Sequence, residues 1–328
     1  MPPSDVYSRL SWRKVRGSSI NPFDPEALKT CLLGRPRSVP PAYIYDEVGG
    51  RLFEQQCEQQ EYYLFRAEYE LLVSYAAEIA QLQNADTIVE LGAGNCRKSE
   101  VVIRALAGRK TSIKYAAIDI DAAALERALP ALTRSIPNVH AVGIIGSFLD
   151  EKTYEMADGR KRAFALLGST IGNMSINERQ DLIRTVGRSI ADREVFLVGA
   201  DLAKSAETFH AAYNDKAGFG AASSLNALNH LNARFGSNFN TDNFVYEAEF
   251  NTDTNEVLVH LRSTINQTVN IPALGLVLEL ERDERIFLER MKKFKEEEIA
   301  REFKDAEFLL LKKWVHPEFR YGLFAFAK

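Results

Sequence analysis

Two carboxylates and two glycines raise the first chemical question in this sequence. The run Thr-Ile-Val-Glu90-Leu-Gly92-Ala-Gly94-Asn-Cys96 reads as a strand entering a glycine-rich turn, and the next strand, Tyr-Ala-Ala-Ile-Asp119, ends on an acid. Glycines in such a turn let the main chain pass close to a ligand and adopt positive φ. An acid ending the neighbouring strand can accept from both hydroxyls of a ribose. A dinucleotide would call for a third glycine, so that pyrophosphate sits on a helix N-terminus. Here the run is Gly92-Ala-Gly94-Asn-Cys96-Arg97. An acid opening the turn, Glu90, also suits a nucleoside with a positive centre better than one bearing phosphates. A nicotinamide-dependent oxidoreductase on a doubly wound sheet is therefore the weaker reading.

These residues need a sheet to hold them, and the pattern from Asp86 onward supplies one. Thr87–Leu91, Ile113–Ile120, Ala141–Ile145, Ala163–Leu167 and Val195–Gly199 read as short apolar strands. Between them Lys98–Leu106, Ala122–Ser135 and Glu178–Ile190 read as helices. Buried strands alternating with helices imply βαβ units and a mostly parallel sheet covered on both faces, an α/β fold. Upstream, Glu68–Leu82 has helical apolar spacing, and residues 1–40, with six prolines, read as largely extended apart from a short helix at Asp24–Leu33. After Asp201 the rhythm breaks. Residues 205–236 read as helical, Phe244–Phe250 and Glu256–Arg262 as an antiparallel pair, Met291–Phe303 as a charged helix, and Phe308–Val315 with Tyr321–Phe326 as a closing strand pair. This predicts a core of residues 66–200 and 288–328, carrying an inserted α+β substrate domain made of residues 1–65 and 201–287.

Composition narrows the partners. The 328 residues carry 41 Lys+Arg and 45 Asp+Glu, a net charge of −4, which argues against nucleic acid. No apolar run is long enough to span a membrane, and the N-terminal residues lack the apolar centre of a secretory signal. Three cysteines (Cys31, Cys57, Cys96) form no CxxC pair, and five scattered histidines show no ligand spacing. The expectation is a cytoplasmic monomer acting on a small molecule, with no metal and no disulfide.

Longer strings are more specific: Tyr43-Ile-Tyr45-Asp-Glu-Val-Gly49-Gly-Arg-Leu-Phe53, Glu61-Tyr62-Tyr63-Leu-Phe-Arg66-Ala-Glu68, Gly168-Ser-Thr-Ile-Gly172-Asn173, Gly199-Ala-Asp201-Leu-Ala-Lys204, Ala212-Tyr213-Asn-Asp215 and Leu225-Asn226-Ala-Leu-Asn229-His-Leu-Asn232. Together with the turn they resemble the histidine α-N-methyltransferases of ergothioneine biosynthesis. The resemblance extends to the related fungal N-methyltransferases of tryptophan and prenylated tryptophan, and it runs from about Tyr43 to the C-terminus. It implies a Rossmann-like methyltransferase that uses S-adenosylmethionine (SAM) to methylate the α-amino group of a free amino acid, with histidine first, up to a trimethyl betaine. By that resemblance Tyr45, Glu90, Gly92, Gly94, Lys98, Asp119, Ser147, Phe148 and Gly168 serve the cofactor. Asn173, Tyr213 and Tyr62 are the catalytic positions, gripping the substrate carboxylate and amine. Phe53, Tyr62, Gly168, Val259, Glu289 and Met291 line the substrate pocket, with Glu289 reading the histidine ring.

The chemistry is consistent with those roles. Methyl transfer from a sulfonium is an in-line displacement, so the protein's main task is to position a neutral amine. An amide and a phenol bind a carboxylate without adding a titrating charge. Plainer readings make Asn173 the cap of the helix near Ser175, Tyr213 a packed helical tyrosine and Glu289 a surface acid. Three departures from the family pattern stand out. Ser147 replaces the usual acid of Gly-Asp-Phe, Val259 replaces a methionine, and Met291 replaces the serine that would bond the imidazole. Losing a polar partner lowers discrimination for a polar ring, which favours a larger aromatic amino acid such as tryptophan as the alternative substrate. A non-catalytic binding module on the same fold is the second alternative.

Overall fold

The computed structural model describes residues 8–15 and 20–328, and expectations for residues 1–7 and 16–19 lie outside it. The described residues divide into two compact units: those within Met1–Ile20, Leu64–Ala203 and Lys293–Lys328 form the first, and Asn21–Tyr63 with Lys204–Lys292 form the second. In chain order the first elements are β1 (Leu10–Lys14), α1 (Pro25–Leu33), β2 (Arg37–Ser38), α2 (Glu47–Cys57) and α3 (Tyr63–Gln83). The alternating region follows as β3 (Thr87–Leu91), α4 (Arg97–Ala107), β4 (Ile113–Asp119), α5 (Ala122–Ser135), β5 (Val139–Ile145), α6 (Glu151–Glu155), β6 (Arg162–Leu166), α7 (Ile176–Ser189) and β7 (Val195–Asp201).

Next come α8 (Ala206–Tyr213), α9 (Phe219–Phe235), β8 (Phe244–Asn251), β9 (Glu256–Ser263), β10 (Gln267–Ile271), β11 (Leu276–Leu280) and β12 (Arg285–Lys292). The chain closes with α10 (Glu296–Lys304), β13 (Leu309–Val315) and β14 (Tyr321–Ala327).

The first unit is built on one eight-stranded sheet in the order β1-β5-β4-β3-β6-β7-β14-β13. Its strands from β1 to β7 are parallel, and β14 and β13 return antiparallel at one end. The Rossmann-like α/β reading is thus the observed architecture. Strands β3 and β7 are buried at every residue, as expected when helices cover both faces of a parallel sheet. Strand β3 lies between β4 and β6, so the order reverses there. In such sheets ligands bind beyond the carboxyl ends of the strands at the reversal, and Gly92, Asp119, Ser147 and Gly168 follow or close the strands at that end.

The second unit holds a four-stranded sheet, β2-β12-β9-β8, and a separate β10-β11 pair. Two of the diagnostic strings prove to be packing partners. Asp46 caps α2 by accepting from the Gly49 N–H, and the same carboxylate oxygen accepts from the Asn226 amide of α9 at 2.7 Å. A side chain at Gly49 would place its Cβ 1.8 Å from the Ile44 carbonyl oxygen, so only glycine lets the chain close here. Asp215 in turn caps α9, accepting from the Phe219 and Gly220 N–H groups.

The structure departs from the expected elements in four places. Leu10–Lys14, expected as extended chain of the substrate domain, pairs in parallel with β5 and belongs to the first unit. Residues 288–292 continue β12 and belong to the second unit, so the return to the core comes at Lys293 and not at 288. Met291 and Lys292 are accordingly strand, and the charged helix begins at Glu296. The β10-β11 pair was not anticipated, although Leu276-Val-Leu278-Glu-Leu280 alternates with strand period.

Candidate functional site

In the first unit the glycine-rich turn is assembled around Asp119. One carboxylate oxygen accepts from the Gly94 N–H at 2.7 Å and the other from the Asp121 N–H at 2.9 Å. Each oxygen keeps a further lone pair, so the acid that orders the turn can still accept from two ribose hydroxyls. Burial raises the Asp119 carboxyl above its usual range, opposed by these backbone bonds. Gly92 and Gly94 have φ of +73° and +51°. A Cβ on Gly94 would meet nothing within 4 Å, whereas one on Gly92 would touch the Phe148 ring at 3.4 Å. The turn is therefore open at Gly94 and backed by an aromatic ring at Gly92. An adenosine moiety fits this set of donors, acceptors and open backbone.

Two residues expected on the cofactor sit differently. Glu90 points beneath the turn: it is 2% exposed and accepts a hydrogen bond from the buried Tyr115 hydroxyl. Burial pushes its carboxyl up to about 7. Lys98 spends its ammonium on Glu68, 2.7 Å away. Glu68 is fully buried and also accepts from the Gly168 N–H at 2.8 Å. Gly168 has φ of +80°, and a Cβ there would stand 2.9 Å from the Lys98 ammonium. The Glu68–Lys98 pair thus fixes the turn after β6. Glu68 was not among the expected site residues, yet its signal was legible: it is an acid on the apolar stripe of Leu64, Ala67, Leu71 and Leu72, all buried on α3. The Ser147 hydroxyl accepts from the Leu149 N–H at 3.2 Å and holds its own turn.

Asn173 ends a short 3-10 turn, Thr170–Asn173, just before α7. It does not cap that helix. Ser175 does, through a reciprocal capping box with Glu178. Among the described residues the half-buried Asn173 amide makes no hydrogen bond, which leaves its donors and acceptor for a ligand.

The second unit brings together the remaining expected residues. The rings of Tyr45, Phe53, Tyr62 and Tyr213 form an edge-to-face chain with centroids 5.9, 6.1 and 5.9 Å apart. Beside it, the inner face of the four-stranded sheet presents cross-strand rows. Tyr246 pairs with Leu261, Ala248 with Val259 and Glu289, and Phe250 with Val257 and Met291. Glu289 reaches this face because of a bulge. Phe287 pairs with His260 and Glu289 with Val259, so Leu288 is the extra residue. Strict alternation would have aimed Glu289 the same way as Phe287, toward the outer face.

The charge of Glu289 also reaches three of the phenols. Burial pushes the Tyr45, Tyr62 and Tyr246 phenols well above their ordinary range, and the negative charge of Glu289 raises all three further. Tyr246 was not anticipated. Nothing in its sequence surroundings sets it apart from any other strand tyrosine.

Among the described residues no group of three or more His, Cys, Asp or Glu could hold a metal ion, and no helix is long and apolar enough to cross a membrane.

The family model of histidine-specific, SAM-dependent methyltransferases matches residues 24–328. Histidine N-alpha-methyltransferase of Mycobacterium tuberculosis is 32% identical over 293 residues, covering 89% of this chain and 91% of the relative. The enzyme of the same name from Mycolicibacterium smegmatis is 31% identical over 292 residues, with the same coverage. A 4-dimethylallyltryptophan N-methyltransferase from Claviceps purpurea is 29% identical over 168 residues, covering 49% of this chain and 48% of the relative. Matched over nearly its whole length, the chain belongs to the histidine-specific, SAM-dependent methyltransferase family, with S-adenosylmethionine as its methyl donor.

Proposed function

We propose that the chain transfers methyl groups from SAM to the α-amino nitrogen of free L-histidine. The observation that carries this reading is Glu289, turned by the bulge onto the inner face of the sheet, where its charge raises the Tyr45, Tyr62 and Tyr246 phenols. A carboxylate in an aromatic, largely dry surrounding is a strong acceptor for a ring N–H, and a charge-assisted bond of that kind contributes about 1.5–3 kcal/mol.

When bound, SAM supplies an electrophilic methyl on a cationic sulfur. Asp119 is assigned the ribose, the backbone at Gly92 and Gly94 the close approach to the donor, and Phe148 and Ser147 the adenine end. Asn173 offers its uncommitted amide to the carboxylate and amine of the substrate, and Tyr213 its phenol to the carboxylate. Phe53 and Tyr62 wall the amine, with Gly168 at the rim. Because burial holds the Tyr62 phenol protonated, it orients the amine and is a poor base at neutral pH. The amine proton leaves to water before the nitrogen attacks. Successive turnovers on the same nitrogen would carry the product toward the trimethyl betaine.

One observation favours a second substrate. Val259 stands opposite Glu289 and Met291 lies two residues along the same face, so the acid has apolar neighbours that also suit an indole, whose N–H Glu289 can accept equally. Steady-state kcat/KM for the twenty amino acids with purified protein and SAM separates the two. The proposal expects histidine to be highest. Tryptophan ahead of histidine would establish the second reading, and no turnover of any amino acid would leave a binding module.

A further inference from the structure

We propose that Tyr246 is a positioning residue for substrate recognition, acting through Tyr213. Its hydroxyl donates to the Tyr213 main-chain carbonyl at 2.7 Å. That carbonyl is at the last residue of α8, where the final turn of a helix leaves oxygens without intrahelical partners. The next residue, Asn214, has already left helical geometry, at φ −123° and ψ 56°, and Asp215 begins the cap of α9. The α8 ladder ends with the Asn214 N–H, which bonds back to the His210 carbonyl at 3.0 Å, so the Tyr213 carbonyl itself is held from outside the helix by Tyr246. The Tyr246 bond therefore helps to decide where the Tyr213 ring stands, edge-on to Tyr62 at 5.9 Å.

Tyr246 is suited to this task. Burial, reinforced by the charges of Glu289 and Asp215, keeps its phenol protonated across the working pH range. A carbonyl can only accept, so the phenol is a permanent donor. The residue also stands one cross-strand row from Glu289 on the inner face of the sheet. The side chain that holds the tyrosine assigned to the carboxylate thus shares a sheet face with the acid assigned to the substrate ring. The separation of those two groups is what a free amino acid of fixed length must match.

This inference rests on the assignment of Tyr213 to the carboxylate, and the test separates the two. Y246F, Y213F and the double variant are compared with the unmodified chain by steady-state kinetics on histidine at saturating SAM, and then on SAM at saturating histidine. Losing one neutral hydrogen bond gives Y246F a KM for histidine about tenfold higher, with kcat within about twofold and the KM for SAM unchanged. The double variant should be no worse than Y213F, because Tyr246 acts only through Tyr213. Additive losses in the double variant, an unchanged histidine KM in Y246F, or equal damage to kcat and both KM values would overturn the inference while leaving Tyr213 in place. An unfolded Y246F would overturn it too, by showing that the bond holds the unit together. If Y213F itself leaves the histidine KM unchanged, the carboxylate assignment fails and the inference fails with it.

Discussion

Replacing Glu90 with glutamine tests whether the acid that opens the turn supports it from below or contacts the ligand. Burial moves the Glu90 carboxyl from 4.5 to about 7 in the folded chain. At about 1.4 kcal/mol per pH unit that displacement corresponds to roughly 3 kcal/mol. Below pH 4.5 both folded and unfolded chains hold the proton, and burial meets no charge. Between pH 4.5 and 7 the unfolded chain ionises while the folded chain stays protonated, so stability falls as pH rises. Above about 7 the loss is complete.

Glu90→Gln removes this ionisation and keeps an oxygen for the Tyr115 hydroxyl. The stability of the variant relative to the unmodified chain should therefore climb by roughly 3 kcal/mol between pH 4.5 and 8, on top of any constant offset. Hydrogen exchange of the β3 amides reads this at the sheet itself, without assuming one unfolding transition for both units. The KM for SAM should change little. A difference that stays flat across this pH window would refute the buried, proton-holding state of Glu90. A large rise in the KM for SAM at unchanged stability would return Glu90 to the ligand.

Two further outcomes follow from the same geometry. Asn173→Ala should fold with unchanged thermal stability and lose most of its activity. Ser175→Ala, which removes the actual cap of α7, should cost about 1 kcal/mol of stability and leave the KM for histidine intact; denaturant unfolding and kinetics on both variants check the pair, and the opposite pattern would make Asn173 structural. Glu289→Gln should lower kcat/KM for histidine by about 10–100-fold, the value of a charge-assisted bond; a loss smaller than about threefold would deny that Glu289 reads the ring.

The repeating half of the molecule was open to inspection in the sequence because each of its strands is buried on both faces and bounded by a helix with its own apolar stripe. Thr87–Leu91 and Ala122–Ser135 have the predicted limits. The edge strand Leu10–Lys14 carries little of that signal. Its pattern, Leu-Ser-Trp-Arg-Lys, alternates weakly, and it is a strand because β5 offers it a free edge. Glu289 shows the limit most clearly. Its direction depends on the single extra residue Leu288, and a bulge is decided by pairing with β9, which local periodicity cannot register. Asn226 and Asp215, quoted as parts of diagnostic strings, turn out to bond Asp46 and to cap α9. Strings that identify a family therefore mix residues that hold the unit together with residues that meet a ligand. Glu68 marks a missed opportunity, since a buried acid on an apolar helical stripe announces a partner, here Lys98 and the Gly168 N–H.

The central claim is the transfer of a SAM methyl group to the α-nitrogen of free histidine. Incubating the purified chain with histidine and SAM carrying a 13C methyl, followed by NMR of the product, tests it directly. The account predicts label on the α-nitrogen alone, with the imidazole nitrogens unmethylated. Label on a ring nitrogen would contradict it, as would a histidine that gains none.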